Sequence, residues 1–188
     1  MRIISGSFKG KKILLPKDKL TRPLKDLTKE SIFNIIKHSK LLNVELEQAN
    51  ILDLFSGIGS FGLECLSRGA ATVTFLENYK EVLVVLKKNI NNLKQENFSK
   101  LIEKDIFAEN TLKSLNDKFD IIFMDPPYKE KKIKELLNTI IKLKLVKDDG
   151  IIIIHRHKKE EDVFPDQLNT IILKNYGISK IIFGNISN

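Results

Sequence analysis

From residue 50 onward the chain alternates short apolar, β-rich runs with stretches of helical spacing. Runs at 50–55, 71–77, 100–103, 119–125, 151–155, 168–174 and 179–183 predict seven strands. Helical patterns fall at 60–68, 80–94, 107–116 and 130–145, and in the second of these Val82, Leu83, Leu86 and Ile90 recur with amphipathic spacing. The charged connection 158–162 carries no decisive pattern. Asn175-Tyr176-Gly177 leaves room only for a turn, so the last two strands should pair antiparallel. The fold class this predicts is α/β, a doubly wound seven-stranded sheet. Its first five strands run parallel, a hairpin closes it, and ligands belong at the carboxyl ends of the strands.

The opening of the chain reads differently. Residues 2–5 and 11–15 predict a small hairpin around Gly6 and Gly10, followed by Thr21-Arg22-Pro23. A helix is expected over 25–38, with Ile32, Phe33 and Ile36 on one face. The organisation expected is a basic N-terminal extension, 1–48, ahead of a sheet domain, 49–188. Charge sharpens that division. Residues 1–40 hold eleven basic and three acidic side chains, which accounts for the whole net charge of +8. A scattered lysine excess is usually a solubility device. Concentrated in one segment, it points to a polyanion contact that should weaken steeply with salt.

Several classes are disfavoured. No apolar run approaches the roughly 18 to 20 residues of a membrane span. The first residues, Met1-Arg2-Ile3-Ile4-Ser5-Gly6, lack a secretory core, so a cytoplasmic protein is expected. Cys65 is the lone cysteine, which excludes an internal disulfide and disfavours a thiolate metal site. A monomer is the expected working unit.

Asp53-Leu54-Phe55-Ser56-Gly57-Ile58-Gly59-Ser60-Phe61-Gly62 follows a predicted strand and opens a predicted helix, the context that gives a glycine-rich loop meaning. Gly57 and Gly59 allow close backbone approach to a ligand, and Gly62 allows close helix–sheet packing. Glu77, twenty residues after Gly57 at the end of the second strand, is placed to bind both hydroxyls of an adenosine ribose. A dinucleotide and S-adenosylmethionine both suit such a loop. Asp53, just ahead of the glycines, favours a cationic ligand over a pyrophosphate, although capping the following helix would also account for it. Phe55 belongs to the same loop, and Asp105, past the third strand, is positioned for an adenine amine.

The fourth strand runs straight into Asp125-Pro126-Pro127-Tyr128. The two prolines stiffen the chain beside the ligand crevice. An exocyclic base amine is a poor nucleophile because its lone pair is delocalised into the ring. If the Asp125 carboxylate and the Pro126 carbonyl accept its hydrogens, the nitrogen is aimed and its developing charge is stabilised. Tyr128 offers a stacking face for the base. Asp125 would also border the cofactor. His155 and His157 share a strand face, but two histidines without a third ligand are poor grounds for a metal, and none is expected. Phe107, Phe119 and Phe123 read as core.

These residues carry a resemblance along nearly the whole chain. Met1-Arg2-Ile3-Ile4-Ser5-Gly6, Gly10-Lys11-Lys12-Ile13-Leu14 and Thr21-Arg22-Pro23 with Glu30, Phe33 and Asn34 form an N-terminal signature. With the glycine loop, Ser67-Arg68-Gly69-Ala70, Asp125-Pro126-Pro127-Tyr128 and Tyr176-Gly177, it resembles the bacterial RsmD-type 16S rRNA guanine-N2-methyltransferases. The resemblance implies a class I, Rossmann-like methyltransferase fold and S-adenosylmethionine as methyl donor. It implies guanine 966 of 16S rRNA as target, in the small ribosomal subunit or an assembly intermediate. It places Asp53, Phe55, Gly57, Gly59, Glu77, Asp105 and Asp125 around the cofactor. Asp125, Pro126 and Tyr128 would hold the guanine, while Lys9, Lys11, Lys12 and Arg22 would lie along RNA. One position departs from the pattern: many members carry an acidic residue where this chain has His155.

Residue chemistry alone leaves other readings standing. A DNA adenine-N6 methyltransferase shares the proline motif but needs more than about 48 residues outside the sheet to read base edges. A nicotinamide-dependent dehydrogenase would share the glycine loop and leave the proline motif unexplained. A non-catalytic RNA-binding assembly factor would have no use for the filled chemical positions.

Overall fold

A computed structural model describes residues 1–17 and 24–187; Thr21-Arg22-Pro23, including the candidate RNA contact Arg22, lies outside them. The described elements are α1 (Asp26–His38), β1 (Asn50–Leu54), α2 (Ser60–Ser67), β2 (Thr72–Leu76), α3 (Lys80–Asn92) and β3 (Ser99–Ile102). Then come β4 (Phe119–Met124), α4 (Ile133–Lys142), β5 (Val146–His157), β6 (Leu168–Tyr176) and β7 (Ser179–Ile186). The sheet order is β3-β2-β1-β4-β5-β7-β6. β1 to β5 are mutually parallel, and β7 pairs antiparallel with both β5 and β6. The order reverses between β1 and β4, where a doubly wound sheet opens its ligand crevice.

Two cores form because side chains alternate along each central strand. Ile51, Ile121, Phe123, Ile151, Ile153, Ile181 and Phe183 face one core together with α1, α2 and α3. Leu52, Leu54, Ile122, Met124, Ile152, Ile154 and Ile182 face the other, covered by Ile133, Leu136, Leu137 and Ile140 of α4. Phe119 and Phe123 are core, as expected; Phe107 is only partly buried and lies at the rim.

The N-terminal segment joins the first core. Ile3, Ile13, Ile32, Phe33 and Ile36 are buried there, and Phe33 stacks on Phe61 at 5.2 Å, which stacks on Phe123 at 3.9 Å. The expected hairpin forms in a minimal version: an antiparallel bridge joins Arg2 to Lys12, and Ile3, Gly10 and Ile13 donate to the carbonyls of Lys11, Ile3 and Met1. The amides between the paired ends are taken by α2: Ile4 and Ser5 donate to the buried Glu64 at 2.8 and 2.9 Å, Ser7 to the Ser67 carbonyl and Phe8 to Ser67 Oγ. A Cβ on Gly6 would meet the Ser67 carbonyl oxygen at 1.8 Å, so this docking requires glycine. Lys29 is fully buried against Glu64 at 3.4 Å and is therefore lost to the basic surface. Burial lowers its pKa, with Glu64 and Asp26 pulling it back up.

Other departures have local causes. Over 107–116 only Leu112–Ser114 form a short 3-10 turn. Thr111 Oγ1 donates to the Asp105 carbonyl and Ser114 Oγ to the Thr111 carbonyl, side-chain bonds that compete with a helix. The helix expected over 130–145 contracts to α4. At its far end Lys144 adopts φ 51°, which stops it and lets β5 begin at Val146, five residues earlier than the apolar run suggests. The 158–162 connection is not helical.

Candidate active site

Strand register gathers the predicted acids. Asp53 on β1 lies level with Phe75 on β2 and Phe123 on β4. Two residues past Phe123, Asp125 leaves the sheet on the same face, its N–H directed at the Leu54 carbonyl. Glu77 follows β2 directly, its N–H on the Ile102 carbonyl of β3.

The cofactor side is held together by its own backbone. Glu77 Oε2 accepts the Gly57 N–H at 2.9 Å, while Oε1 accepts those of Asn78 and Tyr79, which lead into α3. Asp53 Oδ2 accepts the Gly62 N–H at 3.0 Å, so the capping role weighed for it is real. Gly62 sits so close to the sheet that a Cβ would meet Phe75 Cε1 at 2.4 Å. Phe55 adopts φ 58°, a left-handed conformation costly for an aromatic residue and typical of a site that the surrounding structure must hold. Its ring meets Phe107 at 6.1 Å. Asp105 is exposed, its Oδ1 accepting the Phe107 N–H at 3.0 Å.

Asp53 is almost wholly buried. Burial pushes its carboxyl well above the ordinary carboxylate range, the Gly62 N–H opposes this, and the charges of Asp125 and Glu77 raise it further. Three carboxylates that repel one another at the carboxyl ends of three strands suit a cation. A pyrophosphate would add to the repulsion. The chemistry of the donor set therefore fits a cationic ligand such as S-adenosylmethionine.

The amine side is held by side chains. Asp125 Oδ1 lies 2.7 Å from His155 Nδ1, and His155 Nε2 lies 2.8 Å from Ser179 Oγ. Both ring nitrogens are thus engaged within the protein. Among the described residues no cluster of three or more metal-ligating side chains occurs. Tyr128 meets the rings of both His155 and His157 edge-on, at 6.3 and 5.1 Å, so the two histidines do share a face. Pro126 is buried and Pro127 exposed.

Arg156 is the residue that sequence reasoning missed. It is fully buried, its guanidinium pairs with Asp162 at 2.9 Å, and it donates to the carbonyls of Pro127, Tyr128 and Glu130. One cation thereby fixes the proline loop and diverts carbonyls from a helix at 130. The Pro126 carbonyl is not among those it takes. The sequence signal was faint: an arginine between two histidines just past an apolar strand run, with an acid six residues later.

The basic residues split into two places. Lys9, Lys11 and Lys12 are exposed on the loop docked at the C-terminal end of α2, with Lys11 over the Phe8 ring at 5.1 Å. That end lies about 12 Å, the length of an eight-residue helix, from the glycine loop. Nearer Tyr128, exposed Lys129, Lys131, Lys132, Lys158 and Lys159 flank the proline loop, interleaved with Glu130, Glu160 and Glu161. The zero net charge beyond residue 40 conceals this rim.

Comparison with known proteins matches residues 1–185 to the family described as conserved hypothetical protein 95. A ribosomal RNA small subunit methyltransferase D from Buchnera aphidicola is 35% identical over 167 residues, covering 87% of this chain and 81% of that protein. The chain belongs to the RsmD family. YlbH of Bacillus subtilis, named as an rRNA methyltransferase, is 32% identical over 96% of both chains. Among solved structures, the Escherichia coli protein yhhF, assigned as a methyltransferase, superposes with a TM-score of 0.83 at 26% identity. It covers 99% of this chain and 97% of that one. The fold is therefore the class I methyltransferase fold of the RsmD family, and methyl transfer is its chemistry. No helix among the described residues is long and apolar enough to cross a membrane.

Proposed function

We propose that this protein transfers a methyl group from S-adenosylmethionine to the exocyclic N2 amine of guanine 966 in 16S rRNA, within the small ribosomal subunit or an assembly intermediate. The observation that carries the reading is the placement of Asp125. Its carboxylate stands at the end of β4, beside the acid cluster of Asp53 and Glu77, with one oxygen held by His155.

S-adenosylmethionine is the cofactor, and when bound it supplies an electrophilic methyl group on a sulfonium. Asp53 and Glu77 match its charge and ribose, Gly57 and Gly59 admit it to the backbone, and Asp105 and Phe55 border its base. Asp125 and the Pro126 carbonyl accept the two amine hydrogens, which orients the nitrogen lone pair toward the methyl carbon. The amine needs no prior deprotonation, because the leaving group is already cationic; Asp125 stabilises the positive charge that develops on nitrogen. Tyr128 supports the base plane. Exposed Lys9, Lys11 and Lys12, with Arg22, contact phosphates, and membership of the RsmD family supports guanine N2 as the atom methylated.

Asp125→Ala tests the reading. Methyl transfer to small subunits should fall by roughly 10²- to 10³-fold, by analogy with loss of a transition-state contact, while cofactor affinity changes little. An Asp125→Ala protein with wild-type transfer would remove the basis for it.

A further inference from the structure

His155 occupies a particular place in the sheet. Met124 is level with Ile154 in the parallel β4–β5 pair, so the next residues, Asp125 and His155, emerge side by side on one face. Ser179 of β7 pairs with His157, which puts its hydroxyl on that face as well. His155 and Ser179 are buried, whereas the Asp125 side chain keeps 22% of its surface exposed toward the crevice. The three groups form a line from the sheet interior to the site, with contacts of 2.8 and 2.7 Å.

The hydrogen-bond chemistry of this line fixes a proton on one ring nitrogen. With Asp125 ionised, the imidazole must donate from Nδ1, since a lone pair facing a carboxylate oxygen at that distance is repulsive. Nε2 meets a hydroxyl that can rotate either to donate to it or to accept from it, so Ser179 completes the line whichever role Nε2 takes. We propose that His155 is a positioning residue for methyl transfer. Protonated on Nδ1, it holds Asp125 Oδ1 and so presents Oδ2 to the substrate amine. Without it the partly exposed carboxylate can turn about its own side-chain bonds. An amine misaligned by about 1 Å loses on the order of 10²-fold in rate. This inference rests on the proposed role of Asp125.

The test combines kinetics with a readout that does not depend on turnover. His155→Ala should lower kcat by about 10- to 100-fold, with KM for S-adenosylmethionine within about twofold of wild type. His155→Asn, whose amide N–H falls near the Nδ1 position, should recover most of that loss. Independently, ¹⁵N imidazole spectra of the cofactor-free protein should show a proton on His155 Nδ1, with Asp125→Ala shifting the ring toward the Nε2–H tautomer. Wild-type kcat in His155→Ala, an Asn variant no better than the Ala variant, or an Nε2–H tautomer in the wild type would each overturn the proposal. If His155→Ala does not fold, the tautomer measurement on the wild type still decides. An inactive Asp125→Ala beside a fully active His155→Ala defeats this inference alone, whereas an active Asp125→Ala defeats the reading beneath it.

Discussion

The two halves of the candidate site are built by different means. On the β1–β2 side, Asp53 and Glu77 are oriented by backbone amides at most twenty residues away: Gly62, Gly57, Asn78 and Tyr79. On the β4–β5 side, Asp125 and the proline loop are oriented by side chains from some 30 residues away, His155 and Arg156, themselves anchored by Ser179 and Asp162. A backbone-held carboxylate here needs only the consecutive elements β1, α2 and β2 in place. A side-chain-held one needs the whole sheet assembled in register, so the amine side should fail first when distant packing is disturbed.

Arg156→Met gives the largest effect expected from that difference. It strands the buried Asp162 carboxylate, whose side chain is only 7% exposed, and frees three loop carbonyls. Breaking a buried pair from one side costs about 3–5 kcal/mol. For a chain of this size that lowers Tm by roughly 6–20 °C. Adding Asp162→Leu should return much of the stability, yet methyl transfer should stay low because the loop remains unclamped. A double variant restored in both melting temperature and transfer would show that the clamp does not position the loop.

Asp53→Asn probes the other half and should act in the opposite sense on stability. The Asp53 carboxyl is raised in the folded state, by burial first. The folded protein therefore holds a proton that the unfolded chain releases, and free-protein stability falls as pH rises from the unfolded value, about 3.9, through the folded one. Asparagine keeps an acceptor for Gly62 and removes the charge. At neutral pH the free variant should melt a few degrees higher by calorimetry, while S-adenosylmethionine binds about 10- to 100-fold more weakly. Unchanged affinity would show that the acid cluster does not select a cation.

Charge reversal at Lys9, Lys11 and Lys12 should touch neither half. Cofactor binding should be unaltered, and the slope of log affinity for RNA against log salt should flatten by about 2, as expected for three lost phosphate contacts. An unchanged slope would reduce these lysines to solvated surface.

The same contrast explains how much was legible in the sequence. The glycine loop, Glu77 and the strands around them could be read because spacing along the chain dictates them, and Asp125-Pro126-Pro127-Tyr128 could be read as a motif on a strand end. Its supports could not. Arg156 was indistinguishable from a surface arginine until β5 was extended to His157 and the 158–162 connection turned back to bring Asp162 beneath it. The N-terminal hairpin was visible, but not that Glu64 and Ser67 would take the amides of Ile4, Ser5, Ser7 and Phe8 and dock it on α2. Lys29 counted as surface charge until Glu64 drew it inside. In each case the missing information was a tertiary partner.

The central claim is that Asp125 presents a guanine amine for methylation. Purified protein, labelled S-adenosylmethionine and small subunits from a strain lacking the endogenous enzyme test it most directly, with the labelled nucleotide mapped after digestion. The account predicts one labelled nucleotide, N2-methylguanosine at position 966, absent with Asp125→Ala. Label on an adenine, on a different nucleotide or on protein would contradict it.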